Sequence, residues 1–226
     1  EFVPLDSSNG DCEADSTKLA NVIVKFETWK EFPLSTIVFS AHHDIANPNS
    51  ENCQDNTASV CNLIHLCTLL NKVSGEELNQ NVVIAFTDCE EIGGRGMNKL
   101  IEEIKDDKYG TVSNMYALEL TACGDEFWIT GNDNESLMYT NLRDNIGDKT
   151  LEIVRTPYNE SINASRSGLP ACCIGTLPLS EMNVAKERGY CGTWGLCHSP
   201  NDTFERSANK DDMNNFVNIL LNLVKI

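Results

Sequence analysis

The sequence predicts a three-layer α/β/α sandwich built on a mixed central sheet. Three observations carry that reading. Apolar runs of strand length alternate with segments whose apolar residues recur every three or four positions. The 226 residues, 41% of them hydrophobic, suffice for one well-buried core and fall short of two ordinary domains, so residues 1–226 read as a single domain. The acidic and histidine residues capable of chemistry recur where predicted strands end, the edge at which open α/β sheets gather ligands.

Residues 22–26 and 36–40 read as two early strands, β-branched and apolar, separated by a loop containing Pro33, and a hairpin between them is expected. Between 56 and 73, Val60, Leu63, Ile64, Cys67 and Leu70 recur at helical spacing and mark one buried face. Residues 81–87 form a near-continuous apolar run, as in a strand covered on both faces. A short helix over 94–104 follows, then another buried strand over 115–120. Residues 127–130, 151–155 and 171–174 are further strands, with Cys172 and Cys173 expected on opposite faces. The last segment places Met213, Phe216, Leu220, Leu223 and Val224 at helical spacing, with Asp211 and Asp212 in the first turn, where the helix dipole favours anions.

A net charge of −17 and a pI near 4.5 make the surface repel phosphates, and no Lys/Arg cluster offsets this, so nucleic acid and anionic membranes are not expected partners. The longest apolar stretches are strand-sized, too short to cross a bilayer as a helix. Ten cysteines include no CxxC pair, which argues against a thiolate zinc site. Cys61 and Cys67 read as small buried hydrophobes of the first helix. Cys53, Cys89, Cys123 and Cys197 lie within four residues of candidate site residues, so a thiolate could join the site. Residues 1–10 lack the features of a secretory signal, and Asn-x-Ser/Thr sequons begin at Asn134, Asn159, Asn163 and Asn201. Neither decides the compartment.

The candidate site residues come in order along the chain. In Ala41-His42-His43-Asp44, neighbouring side chains of an extended backbone face opposite ways, so only one histidine can face the site. His42 has Asp44 on its own side, as suits a carboxylate that holds the imidazole and raises its basicity, and His43 becomes a packing residue. Asp55, ahead of the first helix, reads alone as an N-cap, or else as a carboxylate bridging two cations. Glu90 and Glu91 follow a strand and precede Gly93 and Gly94, where the backbone can turn sharply. They read either as solvated charge or as a metal ligand beside a proton acceptor. Glu119 sits in an otherwise apolar strand, where an ionised carboxylate is costly unless paired or metal-bound. His198 lies in a loop-like stretch with Asp202 able to orient it.

Taken together, Ala-His-x-Asp, Asp-Asn before a helix, Glu-Glu-x-Gly, a strand carboxylate and His-x-Pro-x-Asp resemble the co-catalytic di-zinc aminopeptidase family. These are the leucyl aminopeptidase and aminopeptidase Y type zinc metallopeptidases of clan MH, related to glutaminyl cyclases. The resemblance implies a zinc-peptidase (phosphorylase/hydrolase-like) architecture, a single catalytic domain, peptide substrates and two Zn²⁺. It places His42, Asp55 and Glu119 on one zinc and Asp55, Glu91 and His198 on the other. Glu90 would act as general base on a metal-bridging water, with Asp44 behind His42. It also implies a cis peptide after Asp55. Glu119 stands where the family commonly has Asp, and Cys197 stands beside His198 where some members have a tyrosine that steadies the tetrahedral intermediate. Arg166 and Tyr190 are the candidate substitutes for that contact. The family leans toward a secreted or lumenal location.

The expected activity is a zinc exopeptidase, an aminopeptidase in particular. One alternative is a glutaminyl cyclase-like acyltransferase using a single zinc, which Asp88-Cys89-Glu90-Glu91 and a Trp shortly before His198 also resemble. The other is a non-catalytic peptidase-like binding domain. Oligomeric state and side-chain preference are not legible in the sequence.

Overall fold

The computed structural model describes residues 2–4, 20–30, 35–130, 136–156 and 158–225. Their strands are β1 (Phe2–Pro4), β2 (Ala20–Phe26), β3 (Thr36–His42), β4 (Asn81–Thr87), β5 (Val112–Leu118), β6 (Glu126–Thr130), β7 (Leu151–Val154) and β8 (Ala171–Leu177). They form one sheet in the order β1-β2-β4-β3-β5-β8-β6-β7. The middle of the sheet, β4-β3-β5-β8, is parallel, whereas β1, β2 and β6 pair antiparallel with β2, β4 and β8 respectively, so the sheet is mixed as predicted.

The expected hairpin does not form. β3 is buried at every residue and β2 at only three of its seven, and a strand buried throughout needs a neighbour on each side. β4 and β5 supply them, and β2 joins the far edge of β4 instead. Pro33 lies outside the described residues.

Alternation along the strands splits the core between two helical layers. Phe39, Ile84 and Tyr116 point to one face, where they meet Leu63, Leu66 and Leu70 of α1 (Ala58–Leu70) and Phe216, Leu220 and Leu223 of a C-terminal helix, Lys210–Val224. Val38, Val83 and Met115 point to the other, against Met97, Leu100 and Ile104 of α2 (Arg95–Lys105). Cys172 and Cys173 divide between the two faces as expected.

The buried face of α1 differs from the predicted one. Ala58, Ser59, Asn62, Leu63, Leu66 and Leu70 are covered, Ile64 and Cys61 are exposed, and Val60 and Cys67 are half-buried. Apolar residues surround this helix, and which stripe is covered is decided by the sheet on one side and the C-terminal helix on the other. Three helices escaped the periodicity reading: α3 (Leu137–Asn145), α4 (Glu160–Arg166) and α5 (Leu179–Arg188), each with three or fewer buried residues. A turn of helix, α6 (Phe204–Ser207), precedes α7, the C-terminal helix. Asn209 caps α7 by accepting from the amides of Asp211 and Asp212. Among the described residues no helix is long and apolar enough to cross a membrane.

The rings of Phe127 and Phe216 stack with centroids 5.9 Å apart and tie β6 to α7, and both are fully buried. Phe216→Ala should cost about 3–5 kcal/mol, read as a lowered urea midpoint with an unchanged slope. A loss below about 1 kcal/mol would mean that α7 is not anchored through this contact.

Candidate metal centre

The central strands deliver the site to their carboxyl ends. His42 is the last residue of β3, and Glu119 follows the last residue of β5, its amide still bonded to the Ile174 carbonyl. Glu119 is therefore one step past the strand rather than inside it, although only 7% exposed. Glu90 and Glu91 lie in the turn between β4 and α2. Asp55 lies in the π-type turn Cys53–Thr57, and the Asp55–Asn56 bond is cis. His198 follows the 3-10 turn Trp194–Leu196.

Five non-glycine residues of the described chain have positive φ: Asn52, Cys89, Asp107, Leu120 and His198. All but Asp107 are a site residue or lie within three positions of one. The chain bends out of regular structure to aim these side chains, a pattern frequent at functional sites. Cys and Leu do not advertise such a backbone, so the sequence held no signal for it.

The two oxygens of Asp55 face different histidines. Oδ1 lies 3.0 Å from His42 Nε2 and Oδ2 lies 3.0 Å from His198 Nε2. Glu119 Oε1 is 3.7 Å from the first imidazole and Glu91 Oε2 is 3.3 Å from the second. Around a tetrahedral zinc with donors at about 2.0–2.2 Å, neighbouring donors stand roughly 3.3–3.6 Å apart. The two sets, His42 with Asp55 and Glu119, and His198 with Asp55 and Glu91, thus have the chemistry and the spacing to hold two ions that share one carboxylate. The N-cap alternative for Asp55 fails, since α1 starts at Ala58 and these oxygens are turned to the imidazoles. Glu90 also comes within reach of His42 and Glu91.

Asp44 holds this arrangement from behind. Its Oδ1 lies 3.3 Å from His42 Nδ1, and its two oxygens accept the amides of Glu90 and Glu91, each at 3.0 Å. The first contact follows from strand alternation, whereas the grip on the Glu90 and Glu91 backbone was not legible in the sequence. His43 is exposed and meets the Ala20 carbonyl at 3.2 Å, so it is not the packing residue expected. Asp202 does not orient the His198 ring. Its carboxylate is drawn to the backbone of Gln54 and Asp55.

Above these groups opens a cavity of about 400 Å³ with Asp55, Glu90, Glu91 and Glu119 at its base. Leu120, Trp128, Trp194 and Cys197 form apolar walls, the two indoles edge to face at 5.5 Å. Neither Arg166 nor Tyr190 lines it. Arg166 is exposed at the last turn of α4, whose first turn faces the site, and Tyr190 is 57% exposed with its hydroxyl packed on Gly195. Tyr158, which sequence reasoning missed, does line the cavity. Asn159, a sequon residue, is buried and caps α4, so a glycan has no access to it, and Asn134 lies outside the described residues.

Crowded acids dominate the electrostatics. Burial and the nearby Glu119 charge push Glu90 up to about 9. Burial pushes Glu119 up to about 7 against the pull of His42, and Glu160, buried at the start of α4, likewise to about 7. Burial and Asp55 raise Glu91. Burial works against protonated His42, yet Glu119, Asp44 and Asp55 outweigh it and hold its pKa well above the usual imidazole range. Burial opposes ionisation of Asp55 as well, but its contacts with His42 and His198 lower it. The thiols stay protonated: burial pushes Cys53 and Cys89 up to about 12 and raises Cys123 and Cys197. Among the described residues no thiolate joins either donor set.

A sequence model of the family described as Peptidase family M28 matches residues 21–224. No curated protein matches the sequence. Among solved structures, the zinc aminopeptidase BSAP from Bacillus subtilis aligns with a TM-score of 0.72 at 15% identity, over 91% of this chain and 50% of that one. LapB from Legionella pneumophila aligns at 0.76 and 16%, over 99% and 57%. The glutaminyl cyclase of Tannerella forsythia aligns at 0.65 and 13%, over 99% and 82%. At such identities the likeness establishes the α/β fold. The chain spans about half the length of the first two structures.

The raised acids set the pH dependence of the metal-free protein. Glu90, Glu119 and Glu160 retain protons when folded that they release when unfolded, and His42 acts in the same sense. The unfolded state then binds fewer protons, so stability falls as pH rises from about 5 to about 9. The lowered Asp44 and Asp55 act oppositely, losing their contribution only as pH falls below about 4. Melting temperatures of chelator-treated protein should decline across that window, with zinc raising them most at its upper end. A flat metal-free profile would contradict the crowded-acid picture.

Proposed function

The chain belongs to peptidase family M28, and from that premise we propose that it is a zinc-dependent exopeptidase, an aminopeptidase that removes N-terminal residues from peptides. The observation that carries the reading is the shared Asp55 carboxylate, with one imidazole and one glutamate completing a donor set on either side. His42, Asp55 and Glu119 would hold one zinc, and Asp55, Glu91 and His198 the second. When bound, the zincs polarise the scissile carbonyl and make water acidic enough to attack at neutral pH.

The chain's own groups do the rest. Glu90 takes a proton from the attacking water and passes it to the leaving amine. The grip of Asp44 on its amide fixes where its side chain begins. Asp44 also holds the tautomer of His42 that leaves Nε2 free for metal. Tyr158, whose pKa is raised by burial first, lines the cavity and is the candidate donor for the developing oxyanion. Acid at the cavity base suits a substrate ammonium, and the Leu120, Trp128 and Trp194 walls suit a bulky apolar side chain.

A second reading, a glutaminyl cyclase-like acyltransferase, is favoured by one observation: Trp194, shortly before His198, lines the cavity beside the candidate metal ligands. One zinc per chain with pyroglutamate formation from N-terminal glutamine would support it. Two zincs with amide hydrolysis support the peptidase.

The test is a panel of aminoacyl substrates, free and N-acetylated. Free Leu, Phe and Met substrates should turn over faster than Gly or Asp ones, and acetylated forms should resist. Cleavage of blocked substrates at equal rates would sink the aminopeptidase reading. Glu90→Gln should lower kcat by roughly 10²–10⁴-fold with zinc content unchanged, and undiminished turnover would strip Glu90 of its role.

A further inference from the structure

Asp44 braces one half of the site by gripping backbone amides, and the other half has a counterpart in Asp202. Asp202 is fully buried. Both of its oxygens accept the Gln54 amide, at 2.9 and 3.0 Å, and Oδ2 also accepts the Asp55 amide at 3.3 Å. Oδ1 takes a hydrogen bond from the Ser207 hydroxyl at 3.2 Å. Its main chain is equally engaged. The carbonyl accepts the Cys53 amide at 3.4 Å and the Ser50 hydroxyl at 2.8 Å, and the amide donates to the Ser199 carbonyl at 3.1 Å. One residue thereby fastens the turn that carries Asp55 to the turn that follows His198, across almost 150 positions of sequence. Asn47 adds a second tie, its side-chain amide donating to the His198 carbonyl at 3.1 Å while its own carbonyl accepts from Asn52.

We propose that Asp202 is a positioning residue for the second metal ion, fixing Asp55 Oδ2 against His198 Nε2. The inference rests on the two-zinc reading above. A carboxylate suits the place because Oδ2 accepts from the amides of both Gln54 and Asp55 while Oδ1 accepts from the Gln54 amide and the Ser207 hydroxyl, and bonds to a charged acceptor are the stronger kind. In Asp202→Asn the new NH₂ group stands about 3 Å from the Gln54 N–H in either orientation, a donor against a donor in a buried place, so the Asp55 turn shifts. The first ion is better insulated. His42 is braced by Asp44 and by β3, and Glu119 by the Ile174 carbonyl, so only Asp55 Oδ1 transmits the change.

The experiment is a zinc titration of metal-free wild type and Asp202→Asn against a chromophoric chelator, read as two binding steps, with metal-free melting recorded alongside. The variant should weaken the second step by roughly 10–100-fold and leave the first within about threefold. If the variant does not fold, Ser207→Ala, which removes a single bond to the Asp202 carboxylate, should weaken the same step by a smaller factor. A lowered metal-free melting temperature with both zinc steps unchanged would overturn the proposal, leaving Asp202 a plain fold contact. So would equal weakening of both steps. Wild type that binds fewer than two zincs would instead overturn the two-zinc reading, a separate and distinguishable result.

Discussion

One carboxylate has to face two imidazoles from opposite sides, and the rest of the architecture answers to that requirement. Asp55 can do so only if His42 arrives along the sheet and His198 returns from the far end of the chain. The sheet meets the first condition by keeping β3 central and parallel to both neighbours, so that His42 is held at its C-terminal tip. The return of His198 depends on loops stitched together by buried polar groups, with Asp202 and Asn47 as the principal stitches. The non-regular backbone concentrates at Asn52, Cys89, Leu120 and His198, the points where the chain leaves ordinary geometry to aim a ligand.

The acids gathered there oppose one another. Glu90, Glu91, Glu119 and Glu160 are each raised by burial first, and a neighbouring carboxylate adds to each, Glu119 to Glu90 and Glu160, and Asp55 to Glu91 and Glu119, which marks a site short of positive charge. Two imidazoles cannot offset so many carboxyls. Protons or divalent cations can, and the donor spacing suits the latter. The fold tolerates the unfavourable cluster because both faces of the sheet beneath it are packed, with Phe39, Ile84 and Tyr116 on one side and Val38, Val83 and Met115 on the other.

The candidate metal centre and the cavity above it share their scaffolding. The 3-10 turn Trp194–Leu196 contributes a wall of the cavity and leads directly into His198. Glu181 of α5 accepts the Thr193 amide at 2.8 Å and so fixes the start of that turn. Trp194 in turn meets Trp128 of β6. A change in the cavity wall is therefore felt at His198, which couples the shape of the cavity to the assembly of the candidate metal centre.

Much of this was legible in the residues themselves. Strand-length apolar runs placed β4 to the residue, helical spacing placed α2 and α7, and the order of His42, Asp55, Glu90, Glu91, Glu119 and His198 named the converging groups. Alternation put Asp44 behind His42. These features are local, set by side-chain type and by a period of two or 3.6 residues, so the chain states them without reference to its fold. The partner of β2, the covered stripe of α1, the entry of Tyr158 in place of Arg166 and Tyr190, and the service of Asp202 to the Asp55 backbone rather than to the His198 ring were decided by the tertiary structure alone. Each depends on which distant segment arrives beside it, and no periodicity within a segment can encode the identity of its neighbour.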